Sequence, residues 1–316
     1  MTKSMLNTDQ QIASIWQLGG LSKRDLAKRV WQQINEDNVL GRASELAYNF
    51  LLSIFPLLLF LLALFGLFAS RGTELKSNLF FHLSQVLPPA AYQLVTKTIT
   101  EVANNTGSGK LTFGLLFALW SASGGMTTMI SVLDEAYGVR ESRSWIKVHL
   151  VAIGLTIAIS VLVLAALAIV LLGGWLAPFL GAKFGMGPVF VVGWKILQYV
   201  AALCFIILSF ALIYYFAPDV REQHWYWITP GSVVGVGLWI LASFAMRMYL
   251  HFFNSYSRTY GSLGAVIILL LWFYVTGLAF LIGGETNSEI EHAAAEHGHP
   301  EAKAEGEKES TADKAA

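Results

Sequence analysis

The stretch RMYLHFFNSYSRTYGSLGAVIILLLWFYVTGLAFLIGGETNSE, residues 247–289, decides the fold class of this chain. From Gly261 to Ile282 it holds 22 residues without a charge; Arg247 precedes the run and Glu285 follows it. A helix needs about 20 apolar residues to cross a hydrocarbon layer of about 30 Å. The stretch therefore predicts a membrane-spanning helix with charged or polar groups at both ends.

The composition of the whole chain also indicates a membrane protein. Of its 316 residues, 55% are hydrophobic and 13% charged, and the mean hydropathy is +0.56. Soluble domains carry about 25% charged residues. Six long runs have at most one charge each, and they cover about 46–69, 111–133, 148–177, 189–217, 229–253 and 261–283. We predict an all-α polytopic membrane protein with six transmembrane helices.

The positions of Lys and Arg predict which side of the membrane each connection faces. With the N-terminus inside, 13 of the 21 Lys and Arg residues fall on the cytoplasmic side, 6 fall outside, and two lie within spans. Cytoplasmic loops carry the excess of positive charge. We therefore predict that both termini are cytoplasmic, which agrees with an even number of spans.

The segments that flank the predicted membrane domain, 43–287, differ in character. Residues 1–42 form a cytoplasmic segment, in which Ser22 and Asp25 have the spacing of a capping box before an amphipathic helix. We expect this helix to lie on the anionic inner surface, and a site for a regulatory partner is the alternative. Residues 288–316 predict a disordered cytoplasmic tail, because the chain from His292 onward has no large apolar residue.

A polar segment of about 40 residues separates the first two spans. Apolar residues recur in it at helical spacing on either side of Pro88 and Pro89, which predicts two amphipathic helices at about 73–106 on the outer face. A passive cap over the bundle and a layer on the membrane surface both fit this pattern.

Polar residues at helical spacing mark the first candidate substrate pathway. Glu45, Asn49 and Ser53 lie four residues apart and share one face of the first span, and Pro56 continues that face. A polar stripe in a membrane helix faces protein or water. Hydrogen bonding between helices and a proline kink would explain Asn49, Ser53 and Pro56 equally well.

A second group of candidates lies in the predicted outer half. Ser243, Arg247 and His251 share a face of the fifth span, and Lys195 enters the fourth span at a similar depth. For Lys195 we expect snorkelling to the interface, with a place in the pathway as the alternative. For Arg247 we expect a buried or water-facing role in which it meets an anionic group, with snorkelling as the alternative. Glu285 closes the sixth span on the cytoplasmic side, which is also where Glu45 begins the first.

The sequence offers no basis for a catalytic or metal site. Cys204 is the only cysteine, which excludes a disulfide framework, and the seven histidines form no cluster with acidic partners at a spacing typical of metal sites. No cofactor is implied. The zero net charge gives no basic field for nucleic acid, and a metal-dependent nuclease is rejected because its ligand cluster is missing from the sequence.

Four motifs resemble the YihY/BrkB family of bacterial inner-membrane proteins. They are ELAYNFLLSIFPLLLF (45–60), LWSASGGMTTMISVLDEAYGVRESR (119–143), WITPGSVVGVGLWILASFAMRMY (227–249) and YGSLGAVIILLLWFYVTGLAFLIGGETNSEIE (260–291). Proteins similar to this one usually have asparagine where Asp134 stands, and a pattern like Gly-Ala-Glu-Leu-Asn at 283–287. Glu285 and Asn287 match that pattern, whereas the resemblance assigns no role to Asp134.

The resemblance implies a multi-pass protein of the bacterial inner membrane more firmly than it implies an activity. Such proteins have carried labels of tRNA-processing ribonuclease, of virulence or serum-resistance factor, and of exporter of lipids or small solutes. We expect a translocator of a lipid or small solute that is not ATP-driven by itself, since the sequence lacks a Gly-rich loop ending in Lys-Ser/Thr. A non-transporting scaffold or envelope-maintenance protein is the alternative. Membrane lipids and a second copy of the chain are the expected partners.

Overall fold

The computed structural model of the chain describes residues 16–69, 97, 109–184, 188–220, 228–252 and 262–296, and every regular element among them is a helix. A short 3-10 turn, Leu18–Gly20, precedes seven α-helices in that part of the chain. The helices are α1 (Lys23–Glu36), α2 (Val39–Ala69), α3 (Gly109–Ala136), α4 (Trp145–Phe184), α5 (Pro188–Phe216), α6 (Pro230–Phe252) and α7 (Ser262–Glu296). The predicted all-α class is confirmed.

Each of the six predicted apolar runs lies within or largely within one of the long helices α2 to α7. Five of these helices, α3 to α7, are long and apolar enough to cross a membrane, among the residues that the structure describes. Membrane-crossing helices are therefore confirmed, while the count of six spans and the cytoplasmic placement of both termini stay predictions. Two helices extend beyond their apolar runs: α2 begins earlier, at Val39, and α7 ends later, at Glu296.

The described residues form two compact units. One unit holds the residues up to Tyr48 and those from Thr127 onward, and the other holds those from Asn49 to Met126. In the first unit, α4 packs against α5 and α6 packs against α7. In the second unit, the Ser53 hydroxyl accepts a hydrogen bond of 2.8 Å from the Gly125 backbone N–H.

The N-terminal helix α1 begins as its sequence predicts. Ser22 is the N-cap, and its hydroxyl oxygen accepts a hydrogen bond of 3.2 Å from the Asp25 backbone N–H. This contact satisfies one of the donors that a helix start leaves unpaired. Asn38, with a φ of 49°, lies in the left-handed region between α1 and α2, a conformation that asparagine tolerates.

The apolar face of α1 packs against α7, which corrects the expectation that this face rests on the membrane surface. Leu26 and Val30 form a buried cluster with Ile290. Arg29 forms a bidentate ion pair with Glu296 at the end of α7: its Nη1 and Nη2 donate to the Glu296 carboxylate at 3.1 and 2.8 Å. Intramolecular packing therefore accounts for the amphipathic pattern of α1. We name α1 with the last two turns of α7 the helical cap.

The end of α7 also corrects the predicted boundary of the C-terminal tail. Residues 288–296 continue the helix, and Ser288, Glu289, Ile290 and Ala293 are buried. The lack of large apolar residues after 291 suggested disorder, but small alanines pack closely against a neighbour: Ala293 lies against Gly19, which has a φ of +62°. The rest of the tail and the predicted outer helices at 73–106 lie outside the described residues, apart from Lys97.

Helices α6 and α7 approach closely at three small residues. A Cβ atom on Gly235 would lie 3.0 Å from the Ala279 carbonyl oxygen, and one on Gly283 would lie 2.6 Å from the Gly231 carbonyl oxygen. The prediction that Gly231 and Gly235 form a small-residue packing pair is thus confirmed. The Tyr214 hydroxyl from α5 donates to the Phe280 carbonyl oxygen at 2.8 Å, so three helices meet at this level.

Candidate functional site

The candidates on α2 differ in their surroundings. Glu45 is exposed, and its carboxylate lies 3.6 Å from Arg42 one turn earlier. Asn49 is half-buried and Ser53 is buried. The hydrogen bond from Gly125 to Ser53 shows that Ser53 serves helix packing, which is the alternative that the sequence left open for it.

The candidates of the predicted outer half lie mostly on exposed surface. Lys195 on α5 and Arg247 on α6 are both exposed. The Ser243 hydroxyl donates to the Trp239 carbonyl oxygen at 2.6 Å, within its own helix. His251 lies in α6, but its side chain is outside the described part of the structure. Arg247 is therefore not buried, which was one of the two roles expected for it. Exposure of both cations agrees with snorkelling and equally with contact to anionic lipid headgroups.

Glu285 is the one candidate acid in the core of the first unit. It is 1% exposed and is among the largest fully buried side chains described. Asn287, two residues on, accepts a hydrogen bond of 2.8 Å from the Gly231 backbone N–H and donates one of 3.1 Å to Thr229 Oγ1. Asn287 thereby ties α7 to the start of α6, where Ser232 and Thr229 exchange capping hydrogen bonds.

Tyr137, directly after α3, joins the same polar region. Its hydroxyl is buried, and burial raises the pKa of Tyr137 above its usual range, although a hydrogen bond with Asn287 opposes that shift. The negative charges of Glu291 and, to a smaller extent, Glu285 raise the pKa of Tyr137 further. The phenol therefore stays neutral, and it brings α3 into the polar region around Glu285.

A second polar region, which the sequence did not reveal, forms around Arg143. We name it the Arg143 cluster. The Arg143 guanidinium holds the Glu141 carboxylate through Nε and Nη2 at 2.8 and 2.6 Å. Its Nε lies 3.6 Å from Asp219, and its Nη2 lies 4.0 Å from Asp134. The cluster consists of Asp134, Glu141, Ser142, Arg143 and Asp219.

Arg143 also closes the end of α5. Its Nη2 and Nη1 donate to the carbonyl oxygens of Ala217 and Phe216 at 2.7 and 3.3 Å. These carbonyls are among those that a helix end leaves without partners in the helix. Burial lowers the pKa of Arg143, but its hydrogen bond to Glu141 and the charges of the three acids outweigh that effect, so the pKa is raised. The guanidinium is permanently charged.

Asp134 is the most buried member of the Arg143 cluster. Its side chain is 6% exposed, and its Oδ1 accepts a hydrogen bond of 2.7 Å from the Asp219 backbone N–H. Its Oδ2 is buried and has no hydrogen-bond partner among the described residues. Asp219 in turn accepts a hydrogen bond of 2.8 Å from the Ser142 backbone N–H. The cluster therefore joins the end of α3, the following loop and the end of α5.

Loops on one predicted side of the membrane supply both polar regions. The α3–α4 loop meets the end of α5 through Arg143, and the start of α6 meets α7 through Asn287. If α2 to α7 cross the membrane one after another, the α3–α4 loop, the start of α6 and the end of α7 lie on the same side of it. The observed contacts agree with that arrangement. The sequence singled out Asp134, Arg143 and Asn287 only through the family resemblance, and Asp219 gave no signal.

Among the described residues, no group of three or more His, Cys, Asp or Glu side chains could hold a metal ion. His292 is buried on α7, with Nδ1 3.6 Å from the Glu289 carboxylate. The Glu289 carboxylate also lies 3.9 Å from Arg29 Nη1 on α1, so His292 and Glu289 belong to the helical cap.

Comparison with known proteins places the chain in a family. The family described as Virulence factor BrkB matches residues 30–307. The chain belongs to the BrkB family. This confirms the resemblance that the four sequence motifs indicated. No solved structure matches the chain.

Relatives of this BrkB-family chain carry two kinds of name. The ribonuclease-like protein YfkH of Bacillus subtilis is 34% identical over 248 residues, which cover 78% of this chain and 88% of YfkH. UPF0761 membrane proteins of Aeromonas salmonicida and Psychromonas ingrahamii are each 27% identical, over 268 and 270 residues, and cover 83% of this chain. The matches span 87% and 86% of those two proteins. The BrkB-family chain is therefore an integral membrane protein.

Proposed function

We propose that this BrkB-family protein translocates a lipid or small solute across the membrane or between its leaflets. The carrying observation is Glu285, a fully buried acid on a membrane-crossing helix. Burying an ionisable group in a membrane domain is costly, and such groups commonly line substrate or ion pathways. Tyr137 and Asn287 make the surroundings of Glu285 polar.

The exposed cations favour a lipid as the substrate. Lys195 on α5 and Arg247 on α6 have exposed side chains. Lipid phosphate groups are the anions that such side chains meet in a membrane. In this proposal the cations bind a headgroup in the outer half, and Glu285 acts at the cytoplasmic end. The bacterial inner membrane, with both termini in the cytoplasm, is the proposed location.

A liposome assay tests the proposal. The purified protein is reconstituted with a fluorescent phospholipid, and translocation is measured with and without a proton gradient; efflux of encapsulated small solutes is measured in parallel. We expect translocation above that of empty liposomes, and a fall of about tenfold in Glu285→Gln. Glu36→Gln, which changes an exposed acid on α1, is the matched control. The proposal would be contradicted if no lipid movement and no solute efflux were detected in any condition.

The cation part of the proposal has its own variants. Arg247→Ala and Lys195→Ala are expected to insert normally and to slow translocation, whereas Lys147→Ala, which removes an exposed cation at the predicted cytoplasmic end, is expected to match the wild type. If both outer variants match the wild type while Glu285→Gln does not, the cations have no part in the pathway.

A scaffold is the second candidate function, and the exposed surface of the helical cap favours it. Trp31 is 67% exposed on α1, on the same face as the exposed Arg24 and Lys28. Trp and Arg are enriched in protein interfaces, so Trp31 and Arg24 suit a protein partner or a second copy of this chain. Cross-linking at Trp31 in intact membranes, together with no translocation in liposomes, would favour the scaffold.

A further inference from the structure

The Arg143 cluster contains more negative than positive charge. Among the described residues, the carboxylates of Asp134, Glu141 and Asp219 lie within 4.0 Å of the Arg143 guanidinium, and with every acid ionised these four side chains carry a net charge of −2 in a partly buried space. Unpaired buried charge costs several kcal/mol. A bound proton on one of the three acids would remove part of that cost.

The geometry identifies the acid that takes the proton. The side chains of Glu141 and Asp219 are 28% and 16% exposed, against 6% for Asp134. Glu141 receives hydrogen bonds from the Arg143 side chain on both oxygens, and Asp219 Oδ2 receives two from Ser142. Asp134 receives one, on Oδ1, while Oδ2 is buried with no described partner.

We propose that Asp134 is a proton-binding site, with the proton on Oδ2. A neutral carboxyl keeps the hydrogen bond that Oδ1 accepts from the Asp219 backbone, and it lowers the charge of the cluster to −1. The Asp134 side chain lies within hydrogen-bond reach of the Glu141 carboxylate, so a protonated Asp134 can donate to it, whereas two ionised carboxylates cannot bond to each other. The inference goes beyond the proposed function, because it holds whether or not the protein moves a substrate.

Among the described residues, the charged groups that act on Asp134 are Glu141, Arg143 and Asp219, all members of the Arg143 cluster. Glu141 and Arg143 come from the α3–α4 loop, and Asp219 follows α5. The neighbouring Glu135 on α3 forms an ion pair with Arg42 on α2 instead. Proton release from Asp134 would therefore add repulsion between the end of α3 and the residues that follow α5, at the junction that Arg143 closes.

Infrared spectroscopy of the full-length protein in lipid tests the site. At about pH 6 a solvated aspartic acid, with a pKa of about 3.9, is ionised. We expect a carbonyl band of a protonated acid that shifts when the aspartates carry ¹³C in the carboxyl group. Asp134→Asn is expected to lose this labelled band, and Asp25→Asn, which changes an exposed aspartate, to keep it.

Asp134→Glu resolves the case in which Asp134→Asn fails to fold. It retains an acid at the position but moves it outside the aspartate label, so the labelled band is expected to disappear. Absence of a labelled band in the wild type at about pH 6 would overturn the proposal. Persistence of the labelled band in a folded Asp134 variant would overturn it as well.

The pH dependence of stability gives an independent measurement. Asp134 binds a proton in the folded state and releases it on unfolding above about pH 4, so the folded state binds more protons. The stability of the wild type therefore falls, relative to Asp134→Asn, as pH rises above about 4, by up to tenfold in the unfolding constant per pH unit, until the folded protein releases the proton. Parallel pH profiles of the two proteins would contradict the proposal.

Discussion

Gly231 on α6 and Gly283 on α7 lie so close together that neither position has space for a side chain. A Cβ atom on Gly283 would lie 2.6 Å from the Gly231 carbonyl oxygen, and a Cβ on Gly231 would meet the Gly283 carbonyl oxygen at even shorter range. Both obstacles are backbone atoms, which cannot turn away as a flexible side chain can. The contact therefore fixes how α6 crosses α7 beside the polar region around Glu285.

The first prediction concerns this crossing. Gly283→Ala is expected to separate the two helices and to cost about 3 kcal/mol of stability, the upper part of the usual range for overpacking. The midpoint of thermal unfolding in detergent measures the effect. Gly237→Ala is the control on α6, because a Cβ there meets nothing within 4 Å. Equal midpoints for the two variants would show that the crossing adjusts without cost.

The second prediction concerns the hydrogen bonds of Arg143. Arg143→Ala leaves Glu141 and Asp219 without their cation and the last carbonyls of α5 without their donor. We expect a loss of about 3 kcal/mol, the scale for breaking one side of a buried ion pair. Arg143→Lys keeps the charge but lacks the planar fork, so its loss should be intermediate.

The unfolding midpoint again measures the effect of the Arg143 variants, with Lys147→Ala as a control that removes an exposed cation from the start of α4. If Arg143→Lys were as stable as the wild type, charge alone would account for the role of Arg143, and the capping of α5 would contribute little.

The third prediction concerns the helical cap. Leu26→Ala removes a buried side chain from the contact of α1 with α7, and we expect α1 to lose about 2 kcal/mol of docking energy. The cap should then open about thirtyfold more often, which hydrogen exchange of the α1 backbone measures. Leu40→Ala, at a leucine that is 54% exposed, is the matched control. Unchanged exchange in Leu26→Ala would mean that other contacts hold α1.

The sequence indicated the helices well because one physical cause dominates them. A helix that crosses a hydrocarbon layer needs a long apolar run, and such runs are visible in the sequence without knowledge of their neighbours. The capping residue Ser22 and the small-residue pair Gly231 and Gly235 were also predictable, because capping and close approach depend on local residue type. The ends of the helices were less predictable, since α7 continues to Glu296 by packing against α1.

For the candidate site, the sequence indicated which residues are polar and which share a helix face, but not what surrounds them. Glu285 is buried, whereas Lys195 and Arg247 are exposed. Spacing along one helix placed Ser53 on a polar face, but the hydrogen bond from Gly125 shows that another helix uses that face for packing. Periodicity tells which residues share a face and cannot tell which partner covers it.

The sequence by itself determined that this protein crosses a membrane, where its helices lie and to which family it belongs, because hydrophobic runs and family motifs are properties of the chain order. Only the tertiary structure decided that Asp134, Glu141 and Asp219 share Arg143. Asp134 and Asp219 are 85 residues apart and approach because helix packing brings the end of α3 to the end of α5. Whether an acid is paired with a cation, hydrogen-bonded or protonated depends on atoms from distant segments of the chain. No local sequence pattern shows which distant segments lie close to it.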